Sequence, residues 1–305
     1  MQIGFAAPVS GSWATPDTIA RVATRAEDLG YGSLWTFQRL LSPVDGGWGE
    51  TYRSVHDPVA TLAFLAAHTR RVRLGVAVVN VPFIAPVVLA KQLSTVDILS
   101  AGRLDVGLGL GWAAEEFAAT AASEADRGRR VEEYVRLLRT LWTDAVVAHE
   151  GEFYHVPAAR MEPKPVQQPY PPILLGGSVP AALRRAGRIA DGWISSSRAD
   201  LSVIGDSVEI VRTAAGTAGR DPASLRFICR GVVKVRPANS PERRPLTGTL
   251  DEIHGDVHDL ARQGITEMFI DLNFDPEIGS PDADPAASLA RAEDVLEAFA
   301  PAVRQ

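Results

Sequence analysis

The feature that most constrains this chain is a change of periodicity that repeats eight times. Short apolar runs of strand length alternate with longer segments whose apolar residues recur at helical spacing. The strand-like runs are Ile3–Ala7, Ser33–Thr36, Val72–Val79, Leu104–Leu108, Ile173–Leu175, Gly192–Ile194, Leu225–Val235 and Glu267–Leu272. Several are apolar throughout, which suits strands covered on both faces in a parallel sheet. Helices are expected over Pro16–Leu29, from Pro58 to about Thr69, from Pro86 to about Ser100, and over Glu115–Trp142 with a break near Gly128. Further helices are expected over Pro180–Ile189, Leu201–Ala218, Leu250–Gln263 and Pro285–Phe299. Eight such units in 305 residues predict an α/β fold, a single (β/α)8 TIM-type barrel over 1–305. Loop insertions fall at about 37–55, 109–128, 151–170 and 237–250, with the proline-rich stretch from Gly151 to Pro172 expected to be irregular. A doubly wound sheet is the rival, but it would show five to seven strands and a nucleotide loop after the first.

In a barrel, chemistry sits at the carboxyl ends of the strands. The fourth strand ends in RLDVGLGLGWAAEEF, with Gly107, Gly109 and Gly111 at every second position. A dinucleotide fingerprint needs Gly-x-Gly-x-x-Gly after a first strand, so both spacing and position are wrong here. These glycines either leave room for a flat ring at the barrel mouth or relieve crowding as the strand leaves the barrel. A clearer ligand signal is Gly176-Gly177-Ser178 between the fifth strand and a helix beginning near Pro180. Backbone N–H groups of such a turn approach an anion closely, and the helix N-terminus adds favourable partial charge. A plain helix cap is the alternative. Arg184 and Arg185 follow within two turns, within reach of a phosphate or facing solvent.

The formal net charge of −6 argues against a nucleic-acid partner. Cys229 is the only cysteine, so no disulfide can form within the chain and no cysteine zinc site exists; it reads as a buried, inert thiol. His254 and His258 lie four apart but have no evident third ligand, so no metal site is expected. The N-terminus reads as a first strand rather than a signal peptide, and no run of 18 apolar residues occurs, so no membrane association is expected and the cytoplasm is the expected compartment.

The stretch VRLGVAVVNVPFIAPVVLAKQLSTVDILSAGRLDVGLGLGWAAEEF resembles the core signature of the luciferase-like flavin and deazaflavin oxidoreductases. Pro86, Leu89-Ala90-Lys91, Asp97, Leu99-Ser100, Gly102-Arg103 and Gly107 to Glu116 match its motif, and PPILLGGSVPAALRRAGRIADGW matches a later one. The similarity runs from Ile3 to about Leu272 and is most like the F420-dependent subgroup. The resemblance implies a barrel that binds the deazaflavin F420, with FMN as the alternative, and a cofactor phosphate at Gly176, Gly177 and Ser178. It also implies a ring near a bulge of the third strand, matched by Gly75-Val76-Ala77-Val78, where members often carry a cis non-prolyl peptide. Gly75, Val76, Ala77 and Gly109 are therefore expected cofactor contacts. A homodimer is implied, as is a separate flavin reductase if FMN is the cofactor. Many members carry Asp-His after the second strand; this chain has Thr36-Phe37-Gln38-Arg39 there, so a histidine acid–base at that place is missing.

Candidate chemical residues follow from the barrel-mouth rule. His56, with a side chain that titrates near neutrality, Gln38 and Glu115 are the catalytic candidates. Trp13, Arg39, Trp48 and Trp112 are the expected substrate-binding residues, the tryptophans as walls of an apolar pocket. Asp97 and Arg103 are expected to form a structural ion pair. Three functions stand: F420-dependent hydride transfer with a small organic substrate, an FMN-dependent monooxygenase, and a cofactor-binding barrel without catalysis.

Overall fold

The computed structural model describes residues 1–241 and 243–301. Eight parallel strands close into a barrel: β1 (Gln2–Ala6), β2 (Ser33–Thr36), β3 (Arg73–Asn80), β4 (Leu104–Gly109), β5 (Ile173–Gly176), β6 (Gly192–Ile194), β7 (Arg226–Val232) and β8 (Glu267–Asp271). Each strand pairs with its sequence neighbours, and β8 returns to β1. The helices are α1 (Pro16–Asp28), α2 (Pro58–His68), α3 (Pro86–Leu99), α4 (Ala114–Ala119), α5 (Arg127–Thr143), α6 (Pro180–Ile189), α7 (Ile204–Thr217), α8 (Leu250–Arg262), α9 (Pro276–Gly279) and α10 (Pro285–Ala298). Proline opens α1, α2, α3 and α6, where its missing N–H would have had no intrahelical partner. Thr15, Asp57 and Thr249 cap their helices through side-chain oxygens, the last in a reciprocal capping box with Glu252.

Three expectations are corrected. The stretch after Gly151 is not irregular throughout: His155–Ala159 pairs antiparallel with Val147–Glu150. The buried Glu133 carboxylate holds the turn between them, accepting from the N–H groups of Glu152, Phe153 and Tyr154. The break in the long helical region lies at 120–126 rather than at Gly128, which sits in the first turn of α5. Asp97 and Arg103 do not pair. Asp97 accepts from the backbone of Val166 and Gln167 at 2.7 and 2.9 Å, and Arg103 donates to Thr69, Val72 and Ser100.

The barrel interior is layered because every second strand residue points inward. At the amino end, Arg226 bridges Asp105 and Glu267, and Ser33 donates to Glu267. Above lies an apolar layer in which Trp35 stacks on Phe269 at 5.1 Å, with Ala6, Leu174, Ile194 and Ile228 around it. Glycine is required there: a β-carbon on Gly75 would overlap the Trp35 ring, and one on Gly107 would strike the Val76 carbonyl. The next layer is again polar and forms the floor of a cavity.

Candidate cofactor and substrate cavity

A cavity of about 730 Å³ opens at the carboxyl ends of the strands. Such a volume suits a cofactor-sized ligand. Its floor is Arg230, whose Nε donates to Asp271 at 2.7 Å and whose Nη1 donates to the carbonyl of Ala77 at 3.1 Å. Both side chains are buried, and the guanidinium also lies over Phe37 and Phe274 at 4.6 and 4.4 Å. Asp271 is held in turn by the backbone and side-chain N–H groups of Asn273. An ion pair so buried persists only because its spare hydrogen-bonding capacity is used. It ties β7 and β8 to the end of β3.

That end of β3 is irregular. The pairing with β4 shifts between Val76 and Val79, and the Ala77–Val78 peptide is cis. Ala77 and Val78 face the cavity, with Ile194 also on its wall. Beside them Gln38 Oε1 accepts from the Asn80 N–H at 2.8 Å, and Asn80 Oδ1 accepts from the Gly111 N–H at 3.0 Å. The amide NH2 groups of Gln38 and Asn80 have no hydrogen-bond partner among the described residues, leaving two donor groups at the cavity wall. Gly111 needs its φ of +70° to make this turn, and Gly109 lacks the β-carbon that would press on Val78.

At the other end, β5 runs through Gly176-Gly177-Ser178 into α6. The Gly177 carbonyl accepts from Trp193 Nε1 at 2.8 Å, which fixes the turn. Val179 supplies no side-chain cap, and the N–H groups of Ser178, Val179 and Ala181 have no partner among the described residues. The start of α5 faces the same space: Asp126, Arg127 and Gly128 line it, and Asp126 does not cap the helix. Arg185 completes this end and pairs with Glu132 at 3.2 Å. Four arginines, Arg39, Arg127, Arg185 and Arg230, thus line the cavity against one carboxylate, Asp126. Two helix starts face this end of the cavity, where free backbone N–H groups and partial positive charge favour an anion.

The mouth is closed by a second buried pair. Arg39 Nη1 donates to Glu116 at 2.8 Å, and Glu116 accepts also from the Leu40 N–H at 2.7 Å. Trp48, Tyr52 and Trp112 surround the Arg39 guanidinium at 5.1, 4.7 and 4.7 Å. The cluster locks the loop after β2 to the loop after β4.

The structure brings Gln38, Arg39, Ala77, Gly109, Trp112, Gly176, Gly177 and Ser178 together around one cavity. Other expected residues lie elsewhere. Trp13 is wholly buried, because Ser10 and Ser12 anchor its loop to Gly279, Ser280 and Ala283 and turn the ring into the core. His56 lies outside the cavity, bound to the Ala14 carbonyl at 2.7 Å on the path into α2. Glu115 is exposed; one residue is a rotation of roughly 100° along a helix, and Glu116 takes the inward place. Gly75 and Val76 sit behind the wall, and Trp48 backs Arg39 without reaching the cavity. Neither Arg230 nor Arg127 is singled out by the sequence reading, while Asn80 and Asp271 fall at strand ends that the barrel-mouth rule marks but gives no role. A charged residue inside the apolar strand RFICRGV was the available signal for the first.

One cavity at the barrel mouth thus joins a turn and helix start with free N–H groups to apolar residues at the β3 bulge. The chain belongs to the luciferase-like monooxygenase family, whose model matches residues 2–266. It is 32% identical over 186 residues to an FMNH2-dependent dimethylsulfone monooxygenase of Pseudomonas putida, covering 60% of this chain and 51% of that protein. It is 29% identical over 214 residues to an F420-dependent glucose-6-phosphate dehydrogenase of Amycolatopsis mediterranei, covering 68% of this chain and 61% of that protein. The matches thus span about half to three-fifths of these relatives' length. An F420-dependent secondary alcohol dehydrogenase, solved with an F420–acetone adduct, superimposes with a TM-score of 0.80 at 19% identity, over 100% of this chain and 99% of that one; at that identity the likeness is one of fold. Among the described residues no helix is long and apolar enough to cross a membrane.

Proposed function

We propose that the protein is an F420-dependent oxidoreductase acting on a small organic substrate. One observation carries the reading: a single cavity joins an anion seat of bare N–H groups to an apolar wall at a strand bulge. The residues present fit the deazaflavin. Gly176, Gly177, Ser178 and the start of α6 would hold its phosphate, and Ala77, Val78 and Ile194 would support its ring. Gln38 and Asn80 offer amide donors to ring carbonyls. Bound there, the group supplies two-electron hydride chemistry. The chain's own part is to orient, to exclude water with Leu110 and Trp112, and to place fixed charge with Arg230. Among the described residues the side chains that line the cavity and can carry a proton are Tyr52, Asp126 and the serines Ser178, Ser195, Ser196 and Ser197, with no histidine, lysine or cysteine.

The donors at Arg127, Gly128 and Arg185 favour F420 over FMN. Arg185 lies against Gly128, and together with Arg127 they line the same cavity as the Gly176-Gly177-Ser178 turn, donors that a phosphodiester with a carboxylated tail can use and a terminal monophosphate does not need. The likeness to an FMNH2-dependent monooxygenase supports the flavin as second reading, with a separate reductase then required. A homodimer, in the cytoplasm, completes the proposal. Titration of the purified chain with F420 and with FMN, read by cofactor fluorescence, tests it. Micromolar binding of F420 with at least tenfold weaker FMN is expected on general grounds of site complementarity. The reverse order selects the flavin, and failure of both overturns the reading.

A further inference from the structure

A second recess of about 430 Å³ adjoins the main cavity and shares Ser197 and Arg230 with it. Arg198 and Arg244 stand on its wall, with Leu201, Val232 and Pro245 as its apolar surface. The charges of this recess are not balanced. Arg230 is matched by Asp271. Asp200 is turned toward the next helical turn, where it accepts from the N–H and hydroxyl of Ser202 at 3.0 and 2.6 Å. Arg198 and Arg244 have no carboxylate partner among the described residues; Arg198 only lies over Trp112 at 5.3 Å. Many exposed arginines elsewhere are paired, Arg21 and Arg25 with α10, Arg53 with Asp282, Arg129 with Glu152 and Arg291 with Glu277, while Arg136, Arg160 and Arg184 also lack a carboxylate partner among the described residues; Arg198 and Arg244 differ in lining one recess together. In a chain of net charge −6, two unpaired arginines facing one concavity mark a place where negative charge is to arrive.

We propose that this recess is an oxyanion subsite for the substrate, which is an organic acid anion, a carboxylate or a phosphate ester. Its charged end sits between Arg198 and Arg244, and its carbon skeleton crosses Leu201 and Val232 into the main cavity at Arg230. The inference rests on the reading of the main cavity as the redox site. Planar guanidinium groups suit both kinds of oxyanion because each offers parallel N–H donors. A neutral substrate would leave the two like charges facing each other, so the subsite also selects.

The test uses the purified chain with inorganic phosphate and, separately, benzoate, at ionic strength held constant with chloride. Tryptophan emission reports on Arg198 through Trp112, and W112F assigns the signal. A saturable change for at least one anion is expected, with affinity about tenfold or more weaker in R198Q/R244Q. Both arginines are exposed, so this variant should fold, and its thermal midpoint checks that. Response to phosphate alone names a phosphate ester, and response to benzoate alone names a carboxylate. No saturable change beyond chloride overturns the proposal. So does undiminished binding in R198Q/R244Q, or binding weakened by R185Q instead, which would place the anion at the cofactor seat. F420 and FMN titrations of R198Q/R244Q should match the wild type. If neither cofactor binds the wild type while the anion response stands, the redox reading fails and the subsite does not.

Discussion

Glu116→Gln is the substitution that most sharply tests how the cavity mouth is held. The Arg39 and Glu116 side chains are 5% and 1% exposed, with 2.8 Å between Nη1 and Oε2. Glutamine preserves shape, and its oxygen can still accept from the Leu40 N–H. Its NH2 group must then face the guanidinium, donor against donor. Arg39 cannot retreat to water, because Trp48, Tyr52 and Trp112 surround it. Breaking a buried pair from one side costs about 3 to 5 kcal/mol, most of it from the charge left behind. The aromatic cage offsets part of this, at about 0.5 to 2 kcal/mol per contact, so about 3 kcal/mol is expected for E116Q. R39M, which strands the carboxylate, should cost a similar amount. The double variant R39M/E116Q buries no unpaired charge and should cost about 2 kcal/mol, far below the sum of the singles. Urea unfolding midpoints at constant slope measure all four corners of the cycle. The neighbouring E115Q, on an exposed residue, should stay within about 0.5 kcal/mol of wild type. The reasoning is refuted if E116Q costs under about 1 kcal/mol, or if the two single losses simply add.

Three further outcomes follow from the same structure. Gly107→Ala places a methyl group against the Val76 carbonyl and Ile194, so it should lower stability by about 3 kcal/mol or more, seen as loss of soluble protein or a lowered thermal midpoint. Burial pushes the Cys229 thiol up to about 12, so native protein should resist a thiol reagent at pH 8 and react only in denaturant; rapid native labelling would show the strand to be open. Burial disfavours the charged form of Glu133, but bonds from His149 and the Phe153 and Tyr154 N–H groups outweigh it and hold the carboxyl below its ordinary value of 4.5. A lowered folded pKa means the stabilisation is complete above that ordinary value and is lost as pH falls through the folded one. Protection of the amides at 152–154, corrected for intrinsic exchange rate, should therefore fall selectively as the pH drops below the ordinary value of 4.5, and E133Q should lose that protection at neutral pH as well.

The parts legible in the sequence were those encoded locally. Asp57-Pro58 announces a capped helix start within two residues, and strand runs such as Gly192–Ile194 announce themselves by burial on both faces. The site is legible only where it follows the chain, as at Gly176-Gly177-Ser178. Where it depends on which strands are neighbours, the signal is split. Arg230 and Asp271 lie 41 residues apart and meet only because β7 and β8 pair in a register that points both inward. Glu115 and Glu116 are indistinguishable in composition, and the phase of a six-residue helix decides which one reaches Arg39. The alternating glycines of β4 show the same division. Their period of two says they share a face, but only the closed barrel shows what that face meets: the Val76 carbonyl and Ile194 for Gly107, and Val78 and Asn80 for Gly109. Side-chain absence at those positions is thus a packing requirement first. Above the layer filled by Trp35 and Phe269, Gly109 and Gly176 yield their space to Val78, which with them lines the cavity.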